Sequence, residues 1–240
     1  SFILLTGEKE GFLEQLQELG VVDISRSVKP VDQDSSEMLA KASRAKNVLE
    51  YLEGVNYSKD PDAEAISKAT VTVNGDPVKF VEDCRNRISD LTISLANAEK
   101  QMKARLPWGD YDKQAIDNLG ELGYKVRYYV VDKKKFDEGW AELYPLQVVE
   151  EDGKKVWFVT VTPKDEEYIF PVQEVPAPEG TFAAASEESK QIKAEIIDCK
   201  AGLLNAKDYI PAIKEACNRD LVELDRYLAD SVAVGVAEDH

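Results

Sequence analysis

Apolar residues recur through 77–105 at Val81, Cys84, Ile88, Leu91, Leu95, Ala98 and Met102. The steps alternate three and four, which places all of them on one stripe of a helix, the seam of a coiled coil. Asp76 is its expected N-cap and Pro77 suits its first turn, where a missing N–H costs nothing. A second stretch, 183–229, keeps the same rhythm through Ala185, Ser189, Ile192, Ile196, Cys199, Leu203, Ala206, Ile210, Ile213 and Cys217. An extra step of four then leads to Leu221, a stutter that locally relaxes supercoiling. Pro211 predicts a break over 208–210, because it removes a donor and crowds the preceding turn. Upstream, Ala42, Ala45, Leu49 and Leu52 mark a helix over 37–53. The outgoing stretches 37–53 and 77–105 nearly equal the return in length. They predict an antiparallel hairpin about 70 Å long, with Arg105 beside Ala183 and Pro77 level with Pro211.

Period-two alternation predicts strands over 124–131, 146–149 and 156–161, the last two joined by the turn Glu151-Asp152-Gly153-Lys154. Helices are expected from Asp112 to about Gly120 and over 133–143. Residues 54–76 break the helical pattern and hold a short strand at 70–73. At the front, strands at 2–5 and 21–24 flank a helix over 8–19, a βαβ unit too small to bury its own sheet. The fold class that follows is α+β: an elongated dumbbell of two small α/β lobes joined by a long helical hairpin, a coiled coil. One lobe, residues 1–30 with 231–240, is incomplete, and its missing strands are expected from a continuing chain. The hairpin takes 37–105 and 183–229, broken near 54–76 and at Pro211. Residues 106–178 form the other lobe.

Charge narrows the function. There are 46 acidic against 30 basic residues, a net −16, and the longest basic run is Lys133-Lys134-Lys135. Nucleic acid is disfavoured as a partner because no basic face can form. The three cysteines show no paired spacing, which fits a reducing cytosol. No apolar run approaches the roughly 20 residues that cross a bilayer. The single histidine is His240, so neither a zinc site nor a histidine-dependent nucleophile is expected. The glycines of "GEKEGF" (7–12) lack phosphate-loop spacing. No catalytic residue, cofactor or metal is expected. Cys84, Cys199 and Cys217 fall on seam positions, where thiols pack as small hydrophobes. The hairpin alignment sets Cys84 opposite residue 204, about 7 Å along the axis from Cys199, so no disulfide is expected. The expected seam comprises Val81, Cys84, Ile88, Leu91, Leu95 and Met102 against Ile192, Ile196, Cys199 and Leu203. At Pro107, Trp108, Gly109, Asp110 and Asp112 the residue types suit a joint: proline ends the rod, tryptophan packs the corner, glycine turns, and the aspartates cap.

Three stretches carry a family resemblance. "FLEQLQELGVVDI" (12–24) resembles the opening of the large membrane-associated subunit of V-type and archaeal-type rotary ATPases, subunit I in bacteria and subunit a in eukaryotes. Asp23 stands where many members carry histidine. "LPWGDYD" (106–112) is similar to the Pro-Trp-Gly-Asp-aromatic element that follows the family's first long helix. "VPAPEG" (175–180) resembles its proline-rich lead into the return helix. The resemblance implies a cytosolic stator arm that is itself not an enzyme, tethered at the cytoplasmic face by a following membrane half that conducts H+ or Na+. Its implied partners are peripheral-stalk heterodimers of the E/G type at the distal lobe, a central-rotor cap subunit of the C/d type at the membrane-proximal lobe, and the membrane rotor ring through that membrane half. The competing reading from the residues alone is a free-standing coiled-coil adaptor.

Overall fold

The computed structural model describes residues 29–238, with side chains through Ser231. Helices α1 (Gln33–Gly54), α2 (Ala63–Lys68) and α3 (Pro77–Arg105) come first, and a 3-10 turn at Leu106–Trp108 follows. Next are α4 (Lys113–Glu121), β1 (Tyr124–Asp132), a 3-10 turn at Lys133–Lys135, α5 (Trp140–Leu143), β2 (Leu146–Glu151) and β3 (Lys155–Pro163). The chain then enters α6 (Phe182–Ala206), a 3-10 turn at Lys207–Tyr209, and α7 (Ile210–Glu238). Mixed helix and antiparallel sheet make the fold α+β. The described residues form two compact units, 29–88 with 197–238 and 89–196. The expected elements at 2–5, 8–19 and 21–24, and His240, lie outside the described residues.

The first unit is helical. Asp32 caps α1, its carboxylate accepting from Ser35 N–H at 2.8 Å. Tyr227 of α7 donates to the same carboxylate at 2.6 Å, and these hydrogen bonds, Tyr227's first, hold Asp32 below the ordinary carboxylate range. Ala42, Ala45, Val48, Leu49 and Leu52 of α1 are buried together with Val81, Leu203, Ala206, Ile213 and Cys217. Small residues let α1 and α7 approach closely enough for the Cys217 thiol to lie 3.6 Å from the Ala42 carbonyl. The break at Pro211 falls where expected, as the 3-10 turn between α6 and α7.

Two local expectations change in this unit. Residues 37–53 and 77–105 were expected end to end. Instead α1 lies alongside the start of α3, with Arg44 paired to Glu82 and Arg85 set 4.0 Å over the Tyr51 ring. The intervening loop makes this overlap possible by running along α6 and back. Asp60 pairs with Lys200 at 2.6 Å, and the Val71 carbonyl accepts from Asn205 at 2.6 Å. Residues 70–73 consequently form no strand: they alternate as a strand would, but Val71 docks on a helix.

The second unit is built on a three-stranded antiparallel sheet in the order β1-β3-β2. The predicted turn forms, with Asp152 accepting from the backbone of Lys154 and Lys155 at 2.7 and 2.6 Å. Along β3, Val156, Phe158, Thr160 and Thr162 are buried at every second position. The core on that face is aromatic: Phe158 stacks on Tyr129 at 5.2 Å and Phe170 lies 4.8 Å from Tyr129. Aromatic pairs of this kind stabilise beyond the area they bury. The helix expected over 133–143 reduces to a 3-10 turn and the single turn of α5. Phe136 goes extended between them, which carries its ring to within 5.4 Å of Phe158. Core packing overrides helical propensity there.

Candidate functional site

Of the stretches that resemble a family signature, 106–112 and the end of 175–180 meet at one joint inside the second unit, and 12–24 lies outside the described residues. Helix α3 ends at Arg105, and Pro107 sits in the 3-10 turn that tightens its last residues. Gly109 follows at φ 65°, left-handed backbone that side chains rarely adopt, and its N–H bonds back to the Leu106 carbonyl at 3.2 Å. Trp108 packs edge-on against Tyr128 of β1, with centroids 5.4 Å apart, so the turn is pinned to the sheet.

The two aspartates divide the capping. Asp112 caps α4 as expected, accepting from Ala115 N–H at 3.2 Å. Asp110 was expected to cap the turn it sits in. Instead it reaches the start of α6 and accepts from Ala183 N–H at 2.7 Å. The Gly109 carbonyl takes Phe182 N–H at 3.2 Å, and the Thr181 hydroxyl takes Ala184 N–H at 3.2 Å. Three amide groups at the start of α6, which helices leave without partners of their own, are thereby satisfied. A carboxylate at the positive end of the helix adds a favourable charge–dipole term. Tyr111 closes the corner by donating to the Pro178 carbonyl at 3.1 Å. At Gly180 an added Cβ would stand 2.9 Å from the Arg105 guanidinium, so a side chain there would displace that group.

Tyr111 and Gly180 lie in stretches the sequence marks and Arg105 at the expected hairpin end, but these contacts were not expected of them, and Thr181 was not expected in the joint. Thr181 alone carried a readable signal, as a hydroxyl residue just before a helical apolar run. Residues expected along the seam are placed inward to different degrees. Val81, Leu91, Ile196 and Leu203 are buried, whereas Cys84, Ile88, Leu95, Met102, Ile192 and Cys199 are half-buried. The anticipated distance between Cys84 and Cys199 does not hold. Cys84 packs against the core of the first unit and its thiol is in hydrogen-bond contact with that of Cys199. The stagger of α3 on α6 at this level therefore differs by about one turn from equal-length folding.

Nothing in the joint pairs a nucleophile with a base. Among the described residues no group of three or more His, Cys, Asp or Glu could hold a metal ion, and no helix is long and apolar enough to cross a membrane. What the arrangement provides is mechanical: five consecutive residues, 108–112, tie a long helix, the sheet, α4 and the return helix together. No protein-family model matches the chain, and no curated protein or solved structure is similar to it.

Proposed function

We propose that this chain is the cytosolic stator arm of a rotary V/A-type ATPase, linking peripheral stalks to the ion-translocating sector and supporting H+ or Na+ transport coupled to ATP. The observation that carries the reading is the joint: the "LPWGDYD" stretch has a structural assignment for each of its named residues. In this reading the helical stretches form the antiparallel coiled-coil hairpin of an elongated dumbbell, and the sheet-bearing unit is the distal lobe facing E/G-type stalks. The membrane-proximal lobe meets a C/d-type rotor cap, at the cytoplasmic face of the membrane. The physical requirement is resistance to rotary torque over tens of ångströms. Helices satisfy their own backbone hydrogen bonds, and each buried seam side chain contributes about 1.5–3 kcal/mol, so a helical arm is stiff with little mass.

The test is a binding titration of the chain against its cognate peripheral-stalk heterodimer at physiological salt. Several contacts act together in such a machine, so a micromolar constant, about −8 kcal/mol, supports the stator reading. Absence of binding by folded protein refutes it and moves the assignment to the coiled-coil adaptor.

A further inference from the structure

We propose that Cys84 and Cys199 are an oxidisable pair that a peroxide closes into a disulfide, locking α3 to α6 within the first unit. The inference is independent of the stator reading.

Register places the pair together. An added Cβ at Gly202 would stand 3.0 Å from the Phe80 ring, so α3 and α6 meet closely at those positions. One turn onward on α3 is Cys84; three residues back on α6 is Cys199. In helices of opposite sense those two positions face each other in the next layer. The thiol–thiol contact agrees with that register. Close approach matters, because a disulfide tolerates only a short separation between its two backbones. Ala201 and Ala206, both buried, keep this side of α6 thin alongside Gly202. Both cysteines are half-buried, whereas Cys217 is buried against Ala42.

The surroundings set the reactivity. Burial, and then the neighbouring thiol, push the Cys84 thiol up to about 11. Tyr57 borders the site, its hydroxyl bonded to that of Tyr51, and Lys200 lies 5.5 Å over the Tyr57 ring while paired to Asp60. Asp83, beside Cys84 in sequence, also disfavours its thiolate. Oxidation is therefore a slow response to sustained peroxide rather than a fast catalytic turnover. The chemistry balances simply. One sulfur, as thiolate, attacks a peroxide oxygen; the O–O bond breaks and hydroxide leaves, giving a sulfenic acid. The second sulfur then displaces that oxygen as water and forms the S–S bond. Two thiols and one hydrogen peroxide give one disulfide and two waters.

The experiment incubates the folded chain with excess hydrogen peroxide for about 100 times as long as a parallel sample of free cysteine takes to oxidise fully, because the raised Cys84 thiol holds far less thiolate. Remaining thiols are alkylated, and peptides are mapped without reduction. The expected product is an intramolecular Cys84–Cys199 link with Cys217 alkylated. Because the link closes a long loop, Tm should rise by about 5–15 °C and return on treatment with dithiothreitol. Cys84→Ser and Cys199→Ser should each abolish both the link and the rise. Alkylation of both Cys84 and Cys199 at that time point overturns the proposal, as does a link through Cys217 or between chains.

Discussion

The capping of α6 by Asp110 can be taken apart one atom at a time. Ala183 N–H reaches the carboxylate at 2.7 Å, and the amides on either side of it are held by the Gly109 carbonyl and the Thr181 hydroxyl. Asp110→Ala removes the acceptor and leaves the flanking two in place. Because Asp110 is exposed, water replaces it, and the cost is that of an ordinary N-cap, about 0.5–2 kcal/mol. Asp110→Asn keeps an oxygen at the same reach but loses the charge facing the helix dipole, a smaller cost of about 0.3–1 kcal/mol. For a chain of this size each kcal/mol moves Tm by about 2–4 °C. Alanine should therefore lower Tm by about 1–8 °C and asparagine by less. Thermal melts give the order, and hydrogen exchange at Phe182, Ala183 and Ala184 locates it. Alanine should speed exchange at Ala183 most, and added salt should erase much of the asparagine deficit. Unchanged exchange at Ala183 in the alanine variant would refute the capping argument, whatever the melt shows.

Gly202→Ala sets two effects against each other: a helix gains up to about 1 kcal/mol from the exchange, and forcing a methyl to 3.0 Å from Phe80 and 3.3 Å from Val71 costs about 1–3 kcal/mol. Urea denaturation should show a net loss of about 0–2 kcal/mol, smaller when Phe80→Leu is also present; a net gain in the single variant would show that the ring gives way freely. Acid sensitivity follows from carboxylates held low in the fold. Hydrogen bonds from Tyr227 to Asp32, from Lys200 to Asp60 and from Arg44 to Glu82 depress their pKa values. Their contribution is present above the unfolded values near 4 and is lost as pH falls through the lower folded values. The urea midpoint should fall in that acid window, and Tyr227→Phe should raise the Asp32 pKa in an NMR titration; an unmoved Asp32 would break the link.

The sequence was legible wherever the signal was local. Asp76 and Pro77 mark the start of α3 because capping and a missing donor act within one turn. Asp152-Gly153 marks its hairpin for the same reason, through bonds to Lys154 and Lys155. The signals failed where a distant partner decided. Residues 70–73 alternate like a strand, yet among the described residues no strand pairs with them, and Val71 settles against Gly202. The helical appearance of 133–143 yields because Phe136 serves the aromatic core. Equal lengths suggested how the helices fold back, but length cannot reveal a detour of the connecting loop along α6. That detour lets α1 overlap the start of α3 instead of continuing into it. At the joint, the residue types announced a turn and two caps; which helix Asp110 caps depends on a segment 73 residues away.

That remoteness bears on what the joint can do. Four contacts leave residues 108–111: Trp108 to Tyr128 on the sheet, and Gly109, Asp110 and Tyr111 to Phe182, Ala183 and Pro178 around the start of α6. Each is individually modest, since capping bonds and aromatic edges are worth about 1 kcal/mol apiece. Their combination is more demanding than their sum. Inserting or deleting one residue between Trp108 and Tyr111 would move at least one partner by the better part of a residue length, about 3.5 Å, beyond hydrogen-bond range. Because the contacts are spread over consecutive residues and reach both the sheet and the start of α6, a shift that restores one displaces another. The corner is therefore fixed in register rather than merely held together. A hinge would place its freedom here, in glycine and exposed polar residues. In this chain the glycine sits at a backbone angle that its own N–H bond to Leu106 holds, and its carbonyl is committed to α6. The arrangement resists bending at the end of a long helix, which is the property a load-carrying arm needs.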